Sequence, residues 1–239
     1  MNTTIFNRRA TFFVPDLNGL QSDDLPKLAS IQSAYQLLPT TNKSFTFRMT
    51  PKGVEPSSML SVDLRKDDDS LKIDFGLGRI DIIRSKVSEN DDIDDSLDFV
   101  NIAMDIFSKL KGVFEWSTNR IALCCSVLFD MNDEELKHSY SKIIGNTEDS
   151  PFEWKLRNVF SGKIEDINEI EYNKVSSISR GNLQIPYESS PQERLLLEMD
   201  YNTRIGQIIP NNQEVLMCIY KFLNEEIHNH IDNTKHLLY

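Results

Sequence analysis

The sequence predicts an α+β fold: largely antiparallel sheet, with a long central helix and a C-terminal helix packed on it. Three observations predict it. Segments of period-2 alternation joined by turn-formers run to about Ile82 and recur from Phe152 to Thr203. Two long stretches with helical periodicity follow those strand groups. The element order is strands, helix, strand, helix, strands, helix. A chain of 239 residues suits a single domain, with a faint suggestion of two sheet–helix halves at about 1–112 and 113–239.

Taken in order, Ala10, Phe12 and Val14 alternate and the first strand is expected to end at Pro15. Leu25, Leu28, Ile31 and Tyr35 then recur at helical spacing, opened by Ser22 with two aspartates and stopped near Pro39. FTFRMT, SMLSVDLRK and LKIDFGL read as a meander joined by PKGVEPSS and DDDS. Leu71, Ile73, Phe75 and Leu77 share one face, but the apolar phase resumes at Ile80 and Ile82. A β-bulge or tight turn at Gly76–Arg79 would keep both sets buried.

The long helix is expected over DDIDDSLDFVNIAMDIFSKLKG, with aspartates at its positive end, Lys109 and Lys111 at its negative end, and Gly112 as the stop. NRIALCCSVLF follows as a buried strand whose neighbouring Cys124 and Cys125 point to opposite faces. Asn132 and Glu135 form a capping box opening a short helix that Gly145 ends, with His138 on its polar side. FEWKLRNVF, INEIEYNKVSSIS and ERLLLEMDYNT are the later strands. The polar stretch 180–193 between the last two is the expected partner-binding loop, with Arg180, Tyr187 and Glu188 as its candidate residues. A final helix is expected from about Asn212 to Asp232.

Composition narrows function by exclusion. Hydrophobic residues at 39% are enough for a core. With 37 acidic against 26 basic residues, the formal net charge of −11 argues against nucleic-acid and anionic-membrane partners and favours a protein with a cationic surface. No apolar run approaches the ~18–20 residues of a membrane span, and the N-terminus lacks a signal pattern. With three cysteines and no CxxC, a cytoplasmic setting is expected. The DFG and GxG near residue 76 lack the context that phosphate loops require. The acid run before the long helix lacks the glycine and distal glutamate of a calcium loop.

EEIHNHIDNTKH, residues 225–236, holds three of the four histidines. Wound at about 100° per residue, His230 joins the apolar line of Leu223 and Ile227, while His228 falls nearly opposite, beside Asp232. Rings two residues apart diverge, so no shared metal is expected. Glu226 and His230 stand one turn apart and form, with Asp200, the candidate polar site. No serine or cysteine nucleophile is tied to a histidine by a motif, so no catalytic residue and no cofactor are assigned.

The closing segments ERLLLEMDYNTRIGQ and NNQEVLMCIYKFLNEEIHNHI, with NRIALCCSVLF after a long helix, resemble a bacterial α+β protein family known as sporadically distributed and uncharacterised. Glu198 and Asp200 stand at that family's acidic strand positions. The resemblance implies a role in mobile elements or antiviral defence and brings no catalytic residues. The expected function is a non-enzymatic, acidic protein-binding module: an accessory, inhibitor or antitoxin-like component of a bacterial or phage conflict system. The alternatives are an anti-restriction DNA mimic, for which acids at 67–69, 89–95 and 165–171 read as separate turns and helix starts, or an enzyme whose site is dispersed in sequence.

Overall fold

A computed structural model describes residues 2–50, 53–91, 93, 96–145, 151–165, 167 and 170–238, with only the backbone described at 42–50 and 54–61. Among the described residues, eight strands form one sheet: β1 (Asn2–Asn18), β2 (Leu38–Thr50), β3 (Gly53–Arg65), β4 (Leu71–Ser85), β5 (Arg120–Asp130), β6 (Trp154–Ile164), β7 (Ile170–Leu183) and β8 (Gln192–Thr203). The helices are α1 (Ala29–Tyr35), α2 (Ser96–Phe114), α3 (Asp133–Ile144) and α4 (Gln213–Leu238). All strand pairs are antiparallel. The longest described helix is C-terminal α4; α2 packs beside it.

The strand order is β2-β3-β4-β1-β5-β8-β7-β6. Counted inward from the two edges it reads 2-3-4-1 and 6-7-8-5, and each set is a strand, a helix, a three-strand meander and a closing helix. The halves therefore meet at the antiparallel β1–β5 pair, as a two-fold rotation there would place them. One sheet runs through both.

The helices lie against one face. Phe12 on β1 stacks on Phe107 of α2 at 3.9 Å and tilts against Tyr220 of α4 at 5.2 Å. The Tyr220 hydroxyl donates to the Thr11 carbonyl at 2.8 Å. Tyr35 of α1 donates to Asp105 of α2 at 2.5 Å, and Tyr140 of α3 meets Trp154 of β6 edge-on. In β5, Ile121, Leu123, Cys125 and Val127 face the helices and are buried, while Cys124 and Ser126 point the other way and are half-buried; Ala122 and Leu128, in phase with Cys124, are buried as well. Burying side chains of this size contributes about 1.5–3 kcal/mol each, which fixes the register.

Several local expectations meet corrections. β1 runs through Pro15 instead of ending there, because the β1–β4 register shifts between Phe13 and Asn18 and a bulge needs no proline N–H. Pro26 turns the first part of the following helix into a 3-10 segment, Ser22–Leu28, and Gln36 in left-handed conformation ends α1 before Pro39, which lies in β2. In β4 the odd step is present: Gly78 adopts φ +70, and Leu71, Ile73, Phe75, Ile80 and Ile82 are all buried. Leu77 is not with them; it is 73% exposed.

The helix α2 is described from Ser96, and Asp91 and Ile93, which the acid run suggests as its first turn, are not helical. Asp91 instead accepts the Val87 and Ser88 N–H groups, both at 2.8 Å, and shapes the preceding turn. Asp92, Asp94 and Asp95 lie outside the described residues. Gly112 sits inside α2, which stops at Glu115 with φ 56. The helix α4 continues six residues past Asp232. Asn132 and Glu135 make the expected reciprocal caps, both at 2.9 Å.

Candidate functional site

Alternation in β7 puts Tyr172 and Lys174 on the helix-covered face, and in β8 it does the same for Met199 and Tyr201. In register, Phe160, Lys174 and Tyr201 form a row across β6, β7 and β8. Helix α4 crosses above this row, and its i, i+4 spacing presents Glu226 and His230 to it. Between them lies an open cleft of about 740 Å³, lined by Lys174, Tyr201, Glu226, Asn229, His230 and Asn233 among others.

Inside the cleft, the Tyr201 hydroxyl and His230 Nδ1 are 2.6 Å apart. Burial pushes the Tyr201 phenol up to about 12, so it stays protonated at neutral pH. Burial, then the neighbouring Lys174 charge, lowers the His230 pKa. The pair is thus neutral near pH 7. Glu226 forms an ion pair with Lys174 and accepts from the Tyr172 hydroxyl at 3.1 Å. Burial alone lowers the Lys174 pKa. Thr234 donates to the His230 carbonyl at 2.8 Å. Such a lining offers hydrogen bonds and the neutral His230 imidazole for acid–base exchange, with His236 also on its border.

The three residues of the predicted polar site are divided. Glu226 and His230 line one cleft but bond to Lys174 and Tyr201, not to each other. Asp200 lies on the other face of the sheet, across from Cys124, which in turn faces Arg9; Arg9 Nη2 reaches Cys124 Sγ at 3.2 Å. Burial, then Asp200, pushes the Cys124 thiol up to about 12. His228 is not a solvated partner of Asp232. It turns toward β1, where its Nε2 is 3.5 Å from Arg8 Nη2. The two rings diverge, and among the described residues no group of three or more His, Cys, Asp or Glu side chains is placed to hold a metal.

The stretch expected as a loop is shortened, because β7 continues to Leu183 and β8 starts at Gln192. Arg180, in β7, pairs with Glu193 at 2.6 Å. Glu188 is held by Arg194, whose hydrogen bonds keep that carboxyl below its ordinary range. Tyr187 borders a pocket of about 430 Å³ with Lys86, Glu89 and Arg194.

Sequence reasoning misses Tyr172, Lys174 and Tyr201. Their signal is their phase, since each falls in step with buried residues of its strand. It also misses the loop after β8. There the Gln207 side chain accepts from Glu171 N at 2.6 Å and donates to the Glu171 and Arg204 carbonyls at 2.7 and 3.1 Å. The loop so fastened leaves Ile205 81% and Ile208 93% exposed. No helix among the described residues is long and apolar enough to cross a membrane. Comparison with protein-family models and with curated proteins finds no match.

Proposed function

We propose that the chain is a non-enzymatic, acidic protein-binding module, acting as an accessory, inhibitor or antitoxin-like component of a bacterial or phage conflict system. The observation that carries this reading is the pair Ile205 and Ile208, held out by a loop that Gln207 pins to β7. Apolar side chains on fixed backbone lose little conformational freedom on docking, and burying each favours association by about 2 kcal/mol. The formal charge of −11 suits a partner whose body is cationic and speeds its approach.

Co-purification from the native host tests the reading. The chain retains a defined partner, and an Ile205→Asp/Ile208→Asp variant of unchanged fold loses it. A wild-type chain recovered as a clean monomer with no interactor would sink it.

A second reading follows from the Tyr201–His230 pair in its cleft: an enzyme using His230 for proton transfer on a polar small molecule. Protection of the His230 ring resonances by a bound metabolite would favour it. A cleft left unperturbed across a metabolite panel would remove it.

A further inference from the structure

β6 is an edge strand of eleven residues, paired on one side with β7. The β6–β7 register is continuous from Trp154–Arg180 to Ile164–Ile170, and the strand contains no proline. Among the described residues no strand pairs with its other side, whose backbone presents N–H and C=O groups in ladder geometry. Lys155, Arg157 and Lys163 lie on this strand and no Asp or Glu does; Glu153 and Glu165 stand just beyond its ends. The opposite edge strand, β2, also contains no acidic residue. In a chain of net −11, that is a local reversal of sign.

Lysine on an edge commonly guards against unwanted pairing. Short strands, bulges and prolines are other ways of closing an edge, and β6 has none of these. β6 is long and regular, with apolar residues exposed on both faces: Val159 at 51% and Phe160 at 62%. Lys155, Arg157, Val159 and Lys163 share the face without helices, where Lys155 reaches Glu198 at 3.0 Å; Phe160 stands on the other face, beside Lys174 and the cleft. Pairing with β6 of a second copy would oppose cations to cations. At physiological salt, charges farther than about 8 Å are screened, so an incoming strand meets chiefly Lys155, Arg157 and Lys163 together with Glu198, which pairs with Lys155, and Glu153 and Glu165 at the strand's ends.

We propose that β6 accepts, as a ninth strand, an extended acidic segment of a partner protein. Its acids alternate with apolar residues, the acids lying over Lys155, Arg157 and Lys163 and the apolar residues beside Phe160. This rests on the protein-binding reading and adds the chemistry of the segment captured. The partner's body and its docking segment then carry opposite charge.

The test uses the full chain, labelled with 15N, and two capped nine-residue peptides in which glutamate or lysine alternates with valine and threonine. The glutamate peptide binds at least tenfold more tightly, with the largest amide shifts along residues 154–164. Lys155→Glu/Arg157→Glu/Lys163→Glu inverts the preference, and the single Arg157→Glu weakens glutamate-peptide binding should the triple variant misfold. Equal binding of both peptides, or shifts confined away from β6, overturns strand addition. If the native partner is still captured through Ile205 and Ile208, the protein-binding reading survives that result. If neither peptide nor partner binds, both fall.

Discussion

Tyr201 on β8 and His230 on α4 meet through a 2.6 Å hydrogen bond at the floor of the cleft, joining the sheet to the helix that closes the fold. Each is an amphipathic ring with its body packed and its polar atom satisfied by the other. The same bond that makes the cleft polar also anchors α4.

That arrangement makes stability depend on pH. In the unfolded chain an imidazole titrates near 6.5, while burial holds His230 lower in the fold. Between the folded value and 6.5, the unfolded chain binds a proton that the folded chain does not. Stability therefore falls as pH drops below 6.5 through this window, and the residue contributes no slope above it. Urea midpoints of the wild type and His230→Gln between pH 7.5 and 5 check this: the variant has the shallower decline. Parallel declines would show that His230 protonates freely in the fold.

Arg8 is a buried cation, fully enclosed between β1 and α4. Its Nε donates to the Ile93 carbonyl at 3.0 Å and its Nη1 to Asn224 Oδ1 at 3.4 Å, so one side chain ties the approach to α2, strand β1 and helix α4 together. Arg8→Ala opens a cavity and takes the donor from the Ile93 carbonyl. It should cost about 3 kcal/mol in chemical denaturation, and Arg8→Met, which keeps most of the volume, about half as much. A loss under about 0.5 kcal/mol for Arg8→Ala would contradict this packing role.

How far these relationships are legible in the sequence depends on their range. The step at Gly78 is visible because it shifts the phase of Ile80 and Ile82 in β4, and the Asn132–Glu135 cap because three residues suffice to make it. The opposed faces of Cys124 and Cys125 follow from period 2 alone. Asp91 departs from expectation because a carboxylate ahead of a helix can serve a turn as well as a dipole. His228 departs from it because helical winding gives a direction but not what waits there; Arg8 is 220 residues away in sequence. That β6 ends the sheet follows from strand order, which is set by long-range pairing and leaves no mark on the strand's own pattern. Its acid-free composition gains meaning only from its place at the edge.

The cysteines provide a test of the two faces of β5. Cys125 is buried, and the Cys124 thiol, pushed up to about 12, does not form a thiolate at pH 8. Cys218 is exposed on α4. Ellman's reagent at pH 8 should therefore titrate one thiol rapidly in the folded chain and three in urea, with the rapid phase abolished by Cys218→Ser. A rapid phase that persists in this variant would mean that the Arg9–Cys124 face of the sheet is more open than described.

Gly162 tests the cleft from the other side. A Cβ at this position would lie 2.7 Å from Cε1 and 2.9 Å from Cζ of Tyr172, closer than carbon atoms pack. The ring cannot simply withdraw, because Phe222 of α4 meets it edge-on at 5.3 Å and its hydroxyl is bonded to Glu226. Gly162→Ala should therefore destabilise by about 1–3 kcal/mol through overpacking. It should also shift the resonances of Glu226 and Lys174, which follow the tyrosine. Gly181→Ala, in neighbouring β7 with nothing within 4 Å of where its methyl group would stand, is the matched control and should be neutral or mildly stabilising. Equal stability of the two variants, measured by urea denaturation, would show that Tyr172 moves freely and that the cleft wall is not fixed by β6.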